Sequence, residues 1–170
     1  FLLLQSLVRR GHSQRSRADN LWLTAMFVFG TVHFFSAVRG EVWFTALILG
    51  VTLNLCAIWA AIDLRRPLIA GLFVALGLAT RTPLVFSSVF ILFVALFPRT
   101  DQATPVAPLV RRFLKLVVFA IPVAGVLGVL MTYNYLRFES VFEFGHRYLQ
   151  EGARHAIREH GLMSGWFLPQ

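Results

Sequence analysis

The sequence predicts an all-α fold: a polytopic membrane protein of antiparallel transmembrane helices with a short helical hairpin and an outer amphipathic helix. Three observations predict it. Apolar residues fill 57% of the 170 positions, 17 of them phenylalanine, and mean hydropathy is +0.69, outside the balance of a soluble domain. Uncharged runs long enough to cross a bilayer recur along the chain. Basic residues concentrate in alternate segments between those runs, the asymmetry that orients membrane helices.

Residues 1 to 8 are apolar and are followed by Arg9 and Arg10. A secretory signal places its positive region first, so this stretch reads as the end of a partial span, and the sequence as a piece of a longer protein. Segment 9–20, RRGHSQRSRADN, sets four arginines against Asp19 and reads as an inner, cytoplasmic loop. Residues 21–38 and 42–62 each read as one span, joined by a tight outer turn, Arg39-Gly40-Glu41. Asp63 to Arg66 returns the chain to the inner side.

The run 67–97, PLIAGLFVALGLATRTPLVFSSVFILFVALF, is 31 residues long with one charge, Arg81, at its centre. It is too long for one ordinary span, which takes about 20 residues, and short for two. Pro83 disfavours helical geometry at Thr82, so the run divides there. Its flanks, 63–66 and 98–115, are both basic. Both therefore read as inner, which requires an even number of crossings and makes 68–80 and 83–97 a hairpin with Arg81 at its outer turn. Thirteen helical residues rise only about 20 Å, short of a hydrocarbon core of roughly 30 Å, so that turn should lie below the outer surface.

Residues 116–136 read as a further span, with Pro122 kinking it and Gly125 and Gly128 admitting a close neighbour. This makes 1–136 the membrane bundle. Residues 137–170 balance four Arg against four Glu and read as an outer juxtamembrane segment. Within it Tyr148, Leu149, Gly152, Ala153, Ala156 and Ile157 recur at helical spacing, an amphipathic helix lying on the membrane surface.

The net charge of +8 does not indicate nucleic acid, because it sits in short loops rather than on one face of a soluble module. Cys56 is the only cysteine, which excludes an intrachain disulfide and a thiolate metal site. His155 and His160 lie five apart, off the spacing of a helical metal pair, so neither metal nor cofactor is expected. Arg81 has two readings: it grips phosphate through paired hydrogen bonds, or it snorkels to headgroups and caps carbonyls. His33 and Asn54 read as packed residues bonded to neighbouring helices. In FESVFEFGHRYL, Glu143, His146, Arg147 and Tyr148 form a polar, aromatic cluster able to hold an acceptor or a lipid phosphate; a solvated juxtamembrane segment fits it equally.

Two stretches, GEVWFTALILGVTLNLCAIWAAIDLRRPLIAGLFVALGLATRTP and NYLRFESVFEFGHRYL, resemble the multi-pass glycosyltransferases of the GT-C superfamily. The resemblance is to the bacterial branch near protein O-mannosyltransferases and aminoarabinose transferases (glycosyltransferase family 39-like). It implies transfer of a sugar from a polyprenyl-phosphate donor on the outer side of the bacterial plasma membrane, the partners being that lipid-linked sugar and membrane lipid. It makes Arg81 a lipid-phosphate contact, with Arg137 and Arg147 in support. The family's catalytic acid lies in a first outer loop that has no counterpart in this sequence, so the catalytic base is unassigned; Glu41 follows later spans and does not replace it. A multi-pass transporter or lipid flippase is the alternative, since short, glycine-interrupted helices also build transport sites. A non-catalytic membrane scaffold is the third reading.

Overall fold

The computed structural model describes residues 1–97 and 109–142. They are 84% helical, with no strand among them. Seven α-helices follow in order: α1 (Leu2–Arg9), α2 (Arg17–Phe29), α3 (Val32–Val38), α4 (Val42–Ala61), α5 (Pro67–Thr80), α6 (Ser87–Leu96) and α7 (Leu109–Phe138). The chain divides into two compact units, Phe1–Leu127 and Gly128–Gln170. Segment Val42–Leu64 and helix α7 are the two described helices long and apolar enough to cross a membrane, as a membrane protein requires.

Helix α2 starts earlier than the apolar pattern indicates. Ser16 caps it: its hydroxyl accepts from the Asp19 backbone N–H at 3.1 Å, and Asp19 Oδ2 accepts from the Ser16 backbone N–H at 2.9 Å and hydroxyl at 2.8 Å. This reciprocal box satisfies donors the first turn leaves open. The Ser16 hydroxyl, then its backbone N–H, hold the Asp19 carboxyl below the ordinary carboxylate range.

The expected span 21–38 is bent. α2 and α3 meet at a bend of 58° at Gly30 and Thr31. The Gly30 N–H still bonds Met26 O at 2.8 Å. Thr31 then leaves helical geometry, donates its hydroxyl to Phe27 O at 2.7 Å and accepts from the His33 N–H at 3.2 Å. One threonine side chain thus both closes the first helix and caps the second.

Between α4 and α5 the chain turns through a 3₁₀ segment, Ile62–Leu64, in which Asp63 and Leu64 take left-handed φ of 57° and 50°. Aspartate tolerates that region better than leucine does. The corner is held from outside: Arg10 Nη1 donates to Ile62 O at 3.1 Å, His12 Nε2 meets Asp63 Oδ1 at 2.8 Å, and Arg10 Nη1 lies 3.6 Å from Asp63 Oδ2.

The run 67–97 divides at Arg81 into two helical arms, α5 and α6, both under span length. α5 rises to Arg81, a 3₁₀ segment over Thr82–Phe86 makes the turn, and α6 returns. Ile91 and Ala95 of α6 join Ala57, Ala60, Ala61 and Leu64 in one buried core, so α6 ends beside the corner from which α5 began. Pro67 opens α5 at a position where its missing N–H costs nothing. Leu84 seats the turn, because a Cβ on Gly50 of α4 would stand 2.6 Å from its Cδ1.

Helix α7 covers Leu109 onward, ahead of the expected 116, so Arg111, Arg112 and Lys115 ride on helix rather than on loop. Pro122 lies inside α7 without ending it. Among the described residues the close approach expected at Gly125 and Gly128 is elsewhere: a Cβ at either would meet nothing described within 4 Å, whereas one on Gly71 of α5 would run into Phe119 O and lie 2.8 Å from Pro122 Cγ. Only glycine lets α5 lie on α7 this closely.

Outward faces are as apolar as the core. Trp22 is 71% exposed and Phe29 69%, a surface that water penalises and hydrocarbon accepts.

Substituting Gly71→Ala should therefore destabilise the first unit by about 1–3 kcal/mol, since backbone and a proline ring must move. Gly125→Ala should be neutral or stabilising by up to about 1 kcal/mol; unfolding in detergent micelles reads both. The Asp19 box should make its contribution above the ordinary carboxylate pKa of about 3.9 and lose it as pH falls through the lowered folded value. An acid titration of helicity in which Asp19→Asn matches the unaltered chain throughout would contradict this.

Candidate functional site

Among the described residues of the first unit, charge separates by end. At the corner end lie Arg9, Arg10, Arg15, Arg17, Arg65, Arg66, Arg111, Arg112 and Lys115, against Asp19 and Asp63. Arg112 is placed there because it lines an apolar cleft with Ala95 and Leu96 of α6. At the opposite end are Arg39, Glu41 and Arg81. The candidate site is this sparse end.

The α3–α4 turn is built around one guanidinium. Arg39 Cζ lies 4.8 Å from the Phe35 ring centroid and 5.7 Å from that of Phe44, and Arg39 Nη1 is 3.5 Å from Glu41 Oε1. The two rings meet edge to face at 5.7 Å. Cation–π attraction and the ion pair together hold a three-residue turn.

Arg81 stands on the neighbouring hairpin. Its backbone N–H closes α5 on Gly77 O at 2.8 Å, and its carbonyl accepts from the Leu84 N–H at 3.0 Å. The residue itself is extended, φ −151° and ψ 122°, the geometry that a residue close before a proline turn can hold without strain. Its guanidinium carbon lies 5.7 Å from the Trp43 ring centroid, on the first turn of α4.

That contact fixes the height of the charge. α4 has 20 residues and α5 has 14, lengths of about 30 Å and 21 Å. Starting from a common corner, Arg81 leaves α5 roughly a turn or more below the end of α4, and its side chain reaches back up to Trp43. Arg81 is half-buried and Trp43 is 70% exposed. Among the described residues no carboxylate is within ion-pair distance of Arg81. Its guanidinium donors remain available to an acceptor, and phosphate fits that fork.

The other predicted site residues are not gathered here. Arg137 lies in the second unit, where its Nη1 donates to Tyr133 Oη at 3.2 Å and its Cζ is 5.0 Å from the Phe138 centroid. Glu143, His146, Arg147 and Tyr148 lie outside the described residues, as does the amphipathic helix. His33 stacks on Phe27 at 4.9 Å across the α2–α3 break instead of bonding a neighbouring helix. Asn54 does not make its expected interhelical bond either: its Oδ1 is buried with no donor among the described residues. Sequence reasoning missed Trp43 and Arg39. The signal was present, since Arg39, Glu41 and Trp43 lie in and beside the three-residue turn between two apolar runs, but only the three-dimensional pairing puts Trp43 beside Arg81.

The fold and site define an all-helical protein with an arginine carried on aromatic rings at the sparse end of its first unit. The chain matches no family model, no curated protein and no solved structure.

A double-mutant cycle with Arg81→Ala and Trp43→Ala should give a coupling of about 0.5–1 kcal/mol in unfolding experiments in micelles. Strict additivity would show that the two side chains do not interact.

Proposed function

We propose that this chain acts as a multi-pass membrane glycosyltransferase of the GT-C type. In this reading it sits in the bacterial plasma membrane with its basic end inside, and transfers a sugar from a polyprenyl-phosphate donor on the outer side. The observation that carries the reading is Arg81, a half-buried cation over Trp43 with no described carboxylate to neutralise it, at the end opposite the basic corner. The two span-length helices and the separation of charge support the embedding.

In this mechanism the acceptor hydroxyl attacks the anomeric carbon of the sugar. The new C–O bond forms as the bond from that carbon to the lipid phosphate breaks, and the phosphate leaves with the electron pair. A carboxylate takes the hydroxyl proton; no residue of this chain is assigned that role. Arg81 stabilises charge growing on the leaving phosphate, an interaction that strengthens toward the transition state. Arg137, Arg147, Glu143, His146 and Tyr148 are proposed to assist from the outer segment, holding lipid phosphate or acceptor.

A transporter of lipid-linked or other anionic cargo is favoured by one specific observation. The first unit holds one broken helical element, α2–α3 bent by 58° at Gly30, beside two short apolar helices, α5 and α6, and short or glycine- or proline-interrupted segments mark transport sites.

The full-length protein reconstituted in liposomes with polyprenyl-phosphate sugars and candidate acceptors should form glycosylated product, and Arg81→Ala should lower the rate by about 10²–10³-fold with folding intact. Transfer unchanged by Arg81→Ala would overturn the assignment of Arg81. Donor crossing the liposome membrane without any transfer would select the transporter. Tags in 63–66 and 100–108 should both report the inner side; labelling on opposite sides would break the hairpin topology.

A further inference from the structure

The corner reads Asp63-Leu64-Arg65-Arg66, and a count along the sequence pairs its acid with its own arginines. The fold assigns that acid elsewhere. Asp63 Oδ1 is 2.8 Å from His12 Nε2 and its Oδ2 is 3.6 Å from Arg10 Nη1, partners more than fifty residues earlier. Arg65 and Arg66 are exposed, with no carboxylate within ion-pair distance among the described residues. Arg66 is steadied by Trp59, its Cζ 5.4 Å from the ring centroid, an aromatic and a cation paired where an apolar helix ends.

Directly beyond the pair, α5 presents an apolar stripe. Leu68 is 53% exposed, Leu72 47% and Leu76 42%, and their spacing of four sets them on one face of the helix. A cationic head above an exposed apolar stripe is the complement of a phospholipid.

We propose that Arg65 and Arg66 bind the phosphate of an anionic phospholipid, whose acyl chains lie along Leu68, Leu72 and Leu76. The site rests on the membrane reading given above, and is independent of sugar transfer. Two guanidinium groups accept a phosphate with paired hydrogen bonds, and cations at an inner surface attract anionic lipid. A soluble anion would use the arginines and leave the stripe uncovered, so the occupant is lipid.

The whole chain is placed in nanodiscs of phosphatidylcholine containing a minor share of phosphatidylglycerol, and the lipids it retains are counted by native mass spectrometry. Phosphatidylglycerol should be retained in preference, and Arg65→Gln with Arg66→Gln should lower that preference roughly tenfold. Arg15→Gln with Arg17→Gln, which removes equal charge from the same end, should leave it largely intact. Equal loss in both double variants, or no preference in the unaltered chain, would overturn the site. Inorganic phosphate added to the unaltered chain should not displace the lipid, a measurement that stands even where the variants do not fold; displacement would assign the arginines to soluble anions. Failure of the chain to enter nanodiscs would instead overturn the membrane reading itself, and this site with it.

Discussion

Close contact through small side chains holds the first unit together. Its buried core is rich in alanine, with Ala57, Ala60 and Ala61 on α4, Ala70 on α5 and Ala95 on α6. At Gly71 even a methyl group has no room. In hydrocarbon there is little hydrophobic gain from joining two apolar helices, so attraction must come from van der Waals contact, which falls steeply with separation. The corner and the seat of the Arg81 turn both depend on α5 and α6 lying this near α4.

The division of 67–97 at Arg81 was legible in the sequence because an apolar run too long for one span carries a proline two residues after its lone charge. The α2–α3 break was not. Residues 21–38 are uncharged and of span length, and Gly30-Thr31 carries no proline. The break depends on a threonine hydroxyl choosing carbonyl and amide partners, which composition does not register. The start of α7 was hidden differently, since Arg111 and Arg112 resemble loop residues until a helix is seen to run beneath them. Gly125 and Gly128 meet no described neighbour, and a glycine matters only on the face that meets one. The candidate site was legible in one residue, Arg81; Trp43 beside it required the fold, and the cluster from Glu143 to Tyr148 lies beyond the described residues.

The fate of Asp63 illustrates a limit on counting charges along a chain. Its partners lie 51 to 53 positions away, and they meet it because α1 packs beside α4 and the loop after α1 reaches the corner. A left-handed aspartate turns the corner while an arginine and a histidine hold it from outside. One acid therefore shapes the turn, ties the chain's first described helix to it, and leaves the two following arginines exposed for other use.

Leu84 has a role that its apolar character conceals. It lies three residues after Arg81, in the turn segment, and fills the space beside Gly50 of α4. Because that seat is steric, it acts as a depth stop: the level of the arginine in the bundle is set by how far a leucine can enter a notch made by a missing side chain. Charge and hydration act on the tip of Arg81, but its anchorage is mechanical. With its carbonyl held by the Leu84 N–H and Leu84 seated against Gly50, the freedom left to Arg81 is that of its side chain, which lies over Trp43.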